Sequence, residues 1–412
     1  MKRNARVLSL ILSALTTACP DAGTQTSDSG TGTTTTTPLT SDGHSSAPPV
    51  TSSVSGTTSP GSTGPTDVTT TCFDPNDCGE AVVNITFMKP SVMLVLDKSG
   101  SMVADPNGFW DHDADPATPT ITRWNSLHSG VDLFVTGFEG SMHLGAVLFP
   151  SLMAASSYNE AACVVGPEPE VAIAPMHAAK ILATIPGALA DSMMMKGATP
   201  ASKALKLAIT ELETAPNDLP KFMIFVTDGA ANCQENAPDP TTLFEVYDDA
   251  VMETVAAAAA MGIKTYVVGI DISQEVSGEV KDGNPDNTNS HEKLNLMADA
   301  GGVPRPGAEK FFNATNQNEL QAALQTIAME LVSCTLDLDP TPRYPDFVEI
   351  TPYGKSQVLD CMTEDGWMYL PKQDPNDPEE LTRVQLCGQA CSDLQMSGEV
   401  DVQYRCPDDD SC

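Results

Sequence analysis

Three short stretches of this 412-residue chain carry oxygen donors in a pattern able to do chemistry. In "LDKSGSM" Asp97, Ser99 and Ser101 alternate; in "KGATP" Thr199 precedes a proline; in "VTDG" Asp228 follows a threonine. Together they offer two carboxylates and three hydroxyls, with no thiol or imidazole among them. That donor set suits a hard divalent cation and excludes metals that need soft ligands. The chain offers little else of this kind. His291-Glu292 lacks the second histidine of a zinc protease helix, and neither a G-x-S-x-G elbow nor a G-x-x-x-x-G-K phosphate loop occurs. No catalytic constellation is evident, and the expectation is a protein that is not an enzyme.

The apolar runs ahead of these residues say what must position them. Val92 to Leu96 form an unbroken apolar stretch ending at Asp97, and "KFMIFV" ends in Thr227-Asp228. Runs of this kind suit strands buried on both faces of a sheet. "MHLGAVLFP" and "IKTYVVGID" add two more strands and "KFFNA" a short one. Between them lie helical spacings at Trp124, Leu127, Val131 and Val135, in "MHAAKILATI" and "ASKALKLAITELE", in the alanine-rich segment that stops near Gly262, in "EKLNLMADAGG", and from Gln317 to Cys334. Strands alternating with helices predict an α/β fold with a mostly parallel sheet covered on both faces. In such sheets ligands bind beyond the carboxyl ends of the strands, where Asp97 and Asp228 would stand. Thr199, just before Pro200, would lie at a helix N-terminus on the same edge.

Those three elements in this order resemble the metal-ion-dependent adhesion site of von Willebrand factor type A domains. "DKSGS" fits its D-x-S-x-S element, "GATP" its threonine element and "VTDG" its final aspartate element. The resemblance covers roughly Val92 to Val332 and implies a Rossmann-like domain. It further implies that Ser99, Ser101 and Thr199 contact the metal directly, that Asp97 and Asp228 act largely through bound water, and that a sixth position accepts a partner's carboxylate. Mg²⁺ is the expected cation, with Ca²⁺ and Mn²⁺ as alternatives. Hydroxyls in place of some carboxylates leave such a site with residual positive charge, which attracts an acidic ligand group.

The rest of the chain suggests where the domain works. Lys and Arg number 21 against 55 Asp and Glu, a formal net charge of −34. That balance argues against nucleic acid and against a basic patch on anionic lipid. Residues 1–19 read as an export signal: Lys2, Arg3 and Arg6 precede an apolar stretch from Val7 to Leu15 too short to span a bilayer. "LTTAC" resembles a bacterial lipobox, which would make Cys19 a lipid attachment site and the anchor to the membrane. Residues 20–71 are Thr, Ser, Gly and Pro with few large apolar groups, the composition of a disordered stalk. Residues 72–90 are a lead-in segment in which Cys72 and Cys78 flank a turn that a local disulfide would close. Residues 91–333 form the expected type A domain.

Residues 334–412 change character, with short β-like runs, many prolines and six cysteines, and read as a small disulfide-rich β module. Setting Cys19 aside leaves ten of the 11 cysteines, an even number fit for a disulfide framework. Cys163 and Cys233 should both lie at the metal-bearing edge and are the expected pair there. Cys387 and Cys391 have a finger-like spacing, but no histidine pair accompanies them, so zinc is the weaker reading. Asp111, Asp113 and Asp115 alternate as in a calcium loop yet lack its glycine and terminal glutamate, and read as an acidic solvated loop. Met193 to Met195 read as core packing. The reading is of an exported protein, lipid-anchored in the cell envelope at the outer membrane or cell surface. It would bind a protein or extracellular matrix ligand through an acidic residue, for adhesion or complex assembly. The alternatives are a structural envelope protein whose metal only stabilises the domain and, further off, a metal-dependent hydrolase.

Overall fold

The computed structural model describes residues 84–86, 88–104, 109–113, 115–217, 219–234, 242–357, 359–361, 365–370 and 382–405. Cys19, the stalk at 20–71, Cys72 and Cys78 lie outside them. In chain order the described elements begin with β1 (Asn84–Thr86), β2 (Ser91–Asp97) and a two-residue hairpin pair, β3 (Phe109–Trp110) and β4 (Ile121–Thr122). Then come α1 (Arg123–Phe138), β5 (His143–Phe149), β6 (Val171–Pro175), α2 (Ala178–Thr184), α3 (Ala201–Thr214) and β7 (Lys221–Thr227). These are followed by α4 (Ala250–Ala260), β8 (Ile263–Ile270), α5 (Ser290–Ala300), β9 (Phe312–Ala314) and α6 (Gln317–Leu331). The last part holds β10 (Thr335–Asp339), β11 (Val348–Pro352), β12 (Gly366–Tyr369), β13 (Arg383–Cys387), α7 (Gly388–Ser397) and β14 (Val400–Tyr404).

The large sheet runs β6-β5-β2-β7-β8-β9, parallel throughout except for the edge strand β6, which pairs antiparallel with β5. Every residue of β2 is buried, as its unbroken apolar run requires of a central strand covered on both faces. Side chains alternate across it. Val92, Leu94 and Leu96 join the core with Trp124, Leu127 and Val131 of α1 and Leu320, Leu324 and Ile327 of α6. Met93 and Val95 join the opposite core with Leu205 and Leu212 of α3, Val255 of α4 and Met297 of α5. The period of two in a strand thus divides one sequence between two cores. Gly130 lets α1 and α6 close on each other, because a Cβ there would come within 2.9 Å of Leu324 Cδ1.

The C-terminal residues form a second, smaller core. A four-stranded antiparallel sheet, β1-β10-β13-β12, and the ribbon β11-β14 enclose Leu336, Leu338, Ile350, Trp367, Val384 and Leu386. The described disulfides here are Cys334–Cys391 and Cys361–Cys387. Two expectations change. Residues 388–397 are a helix, α7, whose Leu394 and Ala390 fill the small core; Gly388 and the polar Gln, Ser and Asp around it masked the pattern. The lead-in segment is also more than a connector, since Asn84–Thr86 pairs with Thr335–Asp339 and closes the module's sheet. With Cys387 and Cys391 in separate disulfides, neither thiol is free for zinc.

The module sits at the N-terminal edge of the large sheet's strands. Gln395 of α7 donates to the carbonyls of Met329 and Val332 at the end of α6, at 2.7 and 3.1 Å. Those carbonyls have no helical partner of their own. Lys89, ahead of β2, donates to the Gly140 carbonyl at 2.6 Å. The opposite edge is left to the oxygen donors.

Candidate metal centre

β2 carries Asp97 to the carboxyl edge of the sheet and leaves it fully buried. One of its oxygens accepts the Ser99 amide at 2.8 Å, and the other accepts the Thr227 hydroxyl at 2.6 Å from the neighbouring β7. The chain then turns through Gly100–Met102, and Met102 drops into the core as an apolar pin. This turn points Ser99 and Ser101 the same way, with their hydroxyl oxygens 2.9 Å apart. Ser101 donates onward to Asp228 Oδ1 at 2.8 Å, bridging the loop after β2 to the loop after β7.

Thr199 is brought in by backbone contacts. The Gly100 amide donates to the Gly197 carbonyl at 3.1 Å, and the Thr199 amide donates to Asn232 Oδ1 at 2.7 Å. Gly197 adopts φ +97°, and a Cβ there would meet Pro150 at 2.7 Å and the Ala162 carbonyl at 2.9 Å, so only glycine fits this bend. The disulfide Cys163–Cys233 ties the loop after β5 to the loop after β7, as expected from the sequence. Ser99, Ser101, Thr199 and Asp228 all line one open groove of ≈ 630 Å³, walled largely by small residues such as Ala155, Ser157, Ala198 and Ala230. The sequence-predicted donors are therefore gathered, with Asp97 directly beneath them.

The electrostatics of this edge are unbalanced. Burial, and then the neighbouring Asp228, push Asp97 up to about 7. Burial also raises Asp228, opposed by the guanidinium of Arg123. Asp228 Oδ2 is buried with no hydrogen-bond partner, and the Arg123 Nη1 lies 3.7 Å away, beyond hydrogen-bond reach. Lys98 is buried and donates to the Lys196 carbonyl at 3.1 Å, and burial lowers it to about 8. An orphaned carboxylate oxygen beside three converging hydroxyl-bearing residues fits a hard cation. Among the described residues, no group of three or more His, Cys, Asp or Glu is arranged to hold a metal, so a cation at this edge would have to use the hydroxyls.

Residues 168–326 match the family model of the von Willebrand factor type A domain. The chain contains a von Willebrand factor type A domain. The matched stretch includes Thr199 and Asp228, while the "DKSGS" turn lies ahead of it on a strand of the same sheet. Among solved structures, the chain is similar to BatB from Bacteroides thetaiotaomicron, with 19% identity and TM-score 0.37 over 58% of this chain and 97% of that one. It is also similar to the pilus adhesin SpaC from Lactobacillus rhamnosus GG, with 14% identity and TM-score 0.42 over 77% of this chain and 39% of that one. A third is the PilB minor pilin from Streptococcus sanguinis, with 16% identity and TM-score 0.35 over 59% and 61%. No curated protein matches the sequence.

Other candidates in the type A domain resolve differently. Asp111, Asp113 and Asp115 sit in successive turns in which each carboxylate accepts the amide two residues on, at 3.4, 2.9 and 2.9 Å. His291 pairs with Glu309 at 3.0 Å. Of the methionines read as core, Met195 is fully buried, but Met193 and Met194 are exposed, because they lie on the irregular loop that precedes Thr199 and not on a helix face. Sequence reasoning missed Arg123 and Asp271, which pair at 2.8 Å beside Asp228. Asp271 had a visible signal, since it follows the apolar run of β8 as Asp97 and Asp228 follow theirs. Arg123 had none.

Proposed function

We propose that this chain is a cell-envelope lipoprotein that binds a protein or matrix ligand through a divalent cation held by Asp97, Ser99, Ser101, Thr199 and Asp228. Mg²⁺ is the first choice of cation, with Ca²⁺ and Mn²⁺ able to use the same oxygens. The observation that carries the reading is Asp228 on the open groove: its Oδ1 accepts from Ser101, next to the Ser99 hydroxyl, and its buried Oδ2 has no hydrogen-bond partner. The bound cation would supply positive charge at the groove floor. The protein's own part is positional: Thr227 and the Ser99 amide fix Asp97, Ser101 fixes Asp228, and the Gly100 to Gly197 hydrogen bond keeps Thr199 in register.

A ligand carboxylate would be drawn by the bound cation and by Lys196, against the opposing charges of Asp228 and Asp282 in the described lining. Among the described residues no helix is long and apolar enough to cross a membrane; attachment would come through lipid on Cys19. The test is calorimetric titration of the full chain with Mg²⁺, Mn²⁺ and Ca²⁺, repeated on Asp97→Ala. Saturable binding lost in the variant, with the circular dichroism of the fold retained, is expected. Equal affinity in both proteins overturns the assignment. A surface ligand captured equally well with and without cation would favour the purely structural role for the metal.

A further inference from the structure

Arg123 stands where a cation is least favoured by its own helix. It is the first residue of α1, directly after the Thr122 cap, at the positive end of the helix dipole. Its side chain is only 12 % exposed. Two carboxylates from the ends of two different strands hold it there. Nη2 donates to Asp271 Oδ2 at 2.8 Å, while Nη1 lies 3.7 Å from Asp228 Oδ2. The Arg123 Nε is buried with no hydrogen-bond partner, as is Asp228 Oδ2 itself. One guanidinium is thus shared unevenly, bonded to the half-exposed Asp271 and only close to the buried Asp228.

We propose that Arg123 and Asp271 form a counter-ion pair that sets the cation affinity of the strand-end site, Arg123 competing for Asp228 and Asp271 drawing it off. The inference rests on the metal reading above. A divalent cation and a guanidinium both satisfy a buried carboxylate, and two such positive groups on one face of Asp228 repel each other. Asp271 offers the guanidinium a second carboxylate, so that the positive charge need not be left buried and unpaired when the cation arrives. Asp271 can hold this place because its backbone takes the left-handed conformation, φ +55°, which aspartate tolerates better than most residues. Arg123 and Asp271 therefore act on the site through Asp228, as positioning residues with opposite signs.

The experiment measures Mg²⁺ and Mn²⁺ affinity by calorimetry on the full chain stripped with chelator, for wild type, Arg123→Gln, Asp271→Asn and the double variant. Arg123→Gln should tighten binding and Asp271→Asn weaken it, each by roughly three- to tenfold, the scale of one partly screened charge. The double variant should match Arg123→Gln, because Asp271 acts only through Arg123. Without cation, Arg123→Gln should melt below wild type, and saturating Mg²⁺ should close that gap. If Arg123→Gln fails to fold, Arg123→Met serves: it keeps an aliphatic stem and removes the charge, and Asp271→Asn should then have no effect in that background. Unchanged affinity in Asp271→Asn, or an Asp271 effect that persists without Arg123, overturns the inference while leaving the metal site standing. No binding of any cation by wild type overturns the metal reading and this inference with it.

Discussion

The two edges of the large sheet are finished by opposite means. At the carboxyl edge the strands end in Asp97, Asp228 and Asp271, the loops leave a groove of ≈ 630 Å³, and a buried carboxylate oxygen is without a partner. At the amino edge the chain closes on itself: α7 supplies Gln395 to the free carbonyls of α6, and Gly398 approaches Gly140 so closely that no side chain fits between them. The polar ends of the elements are closed by partners from the C-terminal module at one edge, and are gathered beneath an open groove at the other. An outside group is therefore expected at the carboxyl edge. Disulfides follow a related logic, linking segments that lie outside the two large cores: the loops around the groove, and the C-terminal module with its small core.

If the edges are independent, damage at one must spare the other. The largest effect should come from Trp367→Ala. Trp367 is 1% exposed in a core of few residues, and emptying it should cost about 3–5 kcal/mol. Hydrogen exchange should show the module opening while the strands of the large sheet stay protected and cation affinity holds. A parallel fall in cation affinity would break the comparison and show that the module supports the groove.

The two disulfide sites sharpen the same contrast. Removing Cys334–Cys391 and removing Cys163–Cys233, each as a paired Cys→Ser variant, should each cost about 2–4 kcal/mol, since both close long loops. Only the second should weaken cation binding, because Cys233 adjoins Asn232, whose side chain holds Thr199. Equal cation affinity in the two double variants would show that hydrogen bonds alone keep the groove in register. Gly398→Ala comes next. Its φ of +64° and a Cβ placed 2.0 Å from the Gly140 carbonyl force the backbones apart, a loss of about 1–3 kcal/mol confined to the module's docking.

Much of this arrangement was legible in the sequence, for a physical reason. A strand covered on both faces must be apolar at every position, so β2, β7 and β8 announce themselves, and the residues that end such runs are at once suspect. The disulfide Cys163–Cys233 followed from the same placement. What escaped were features decided by tertiary contact. β6 is a five-residue edge strand with a proline, too short and irregular to stand out. β1 is three residues whose partner lies some 250 positions on, at Thr335–Asp339. α7 begins with glycine and has only a weakly apolar face. Arg123 reads as an ordinary first residue of a helix until the fold puts Asp228 and Asp271 on either side of it.

The smallest expected effect lies in a charge pair at the closed edge. Asp393 of α7 has its side chain 4% exposed and accepts from Lys355 Nζ at 2.8 Å and from Gln389 Nε2 at 2.7 Å. These donors, Lys355 first, hold its carboxyl below the ordinary value of 3.8. A carboxylate with a lowered pKa in the folded protein contributes stability that is complete above its unfolded value and fades as pH falls through the folded one. Lys355 is itself 58% exposed, so solvent screens the pair and Lys355→Ala should cost only about 1 kcal/mol at neutral pH. The gap between wild type and variant should be widest above pH 5 and should close as the pH falls below 3.8, where Asp393 takes up its proton. Denaturant titrations of both proteins across that range measure it. A gap that stays constant with pH would mean that Lys355 acts through the packing of its aliphatic stem, and that this edge is closed by apolar contact and backbone hydrogen bonds without help from charge.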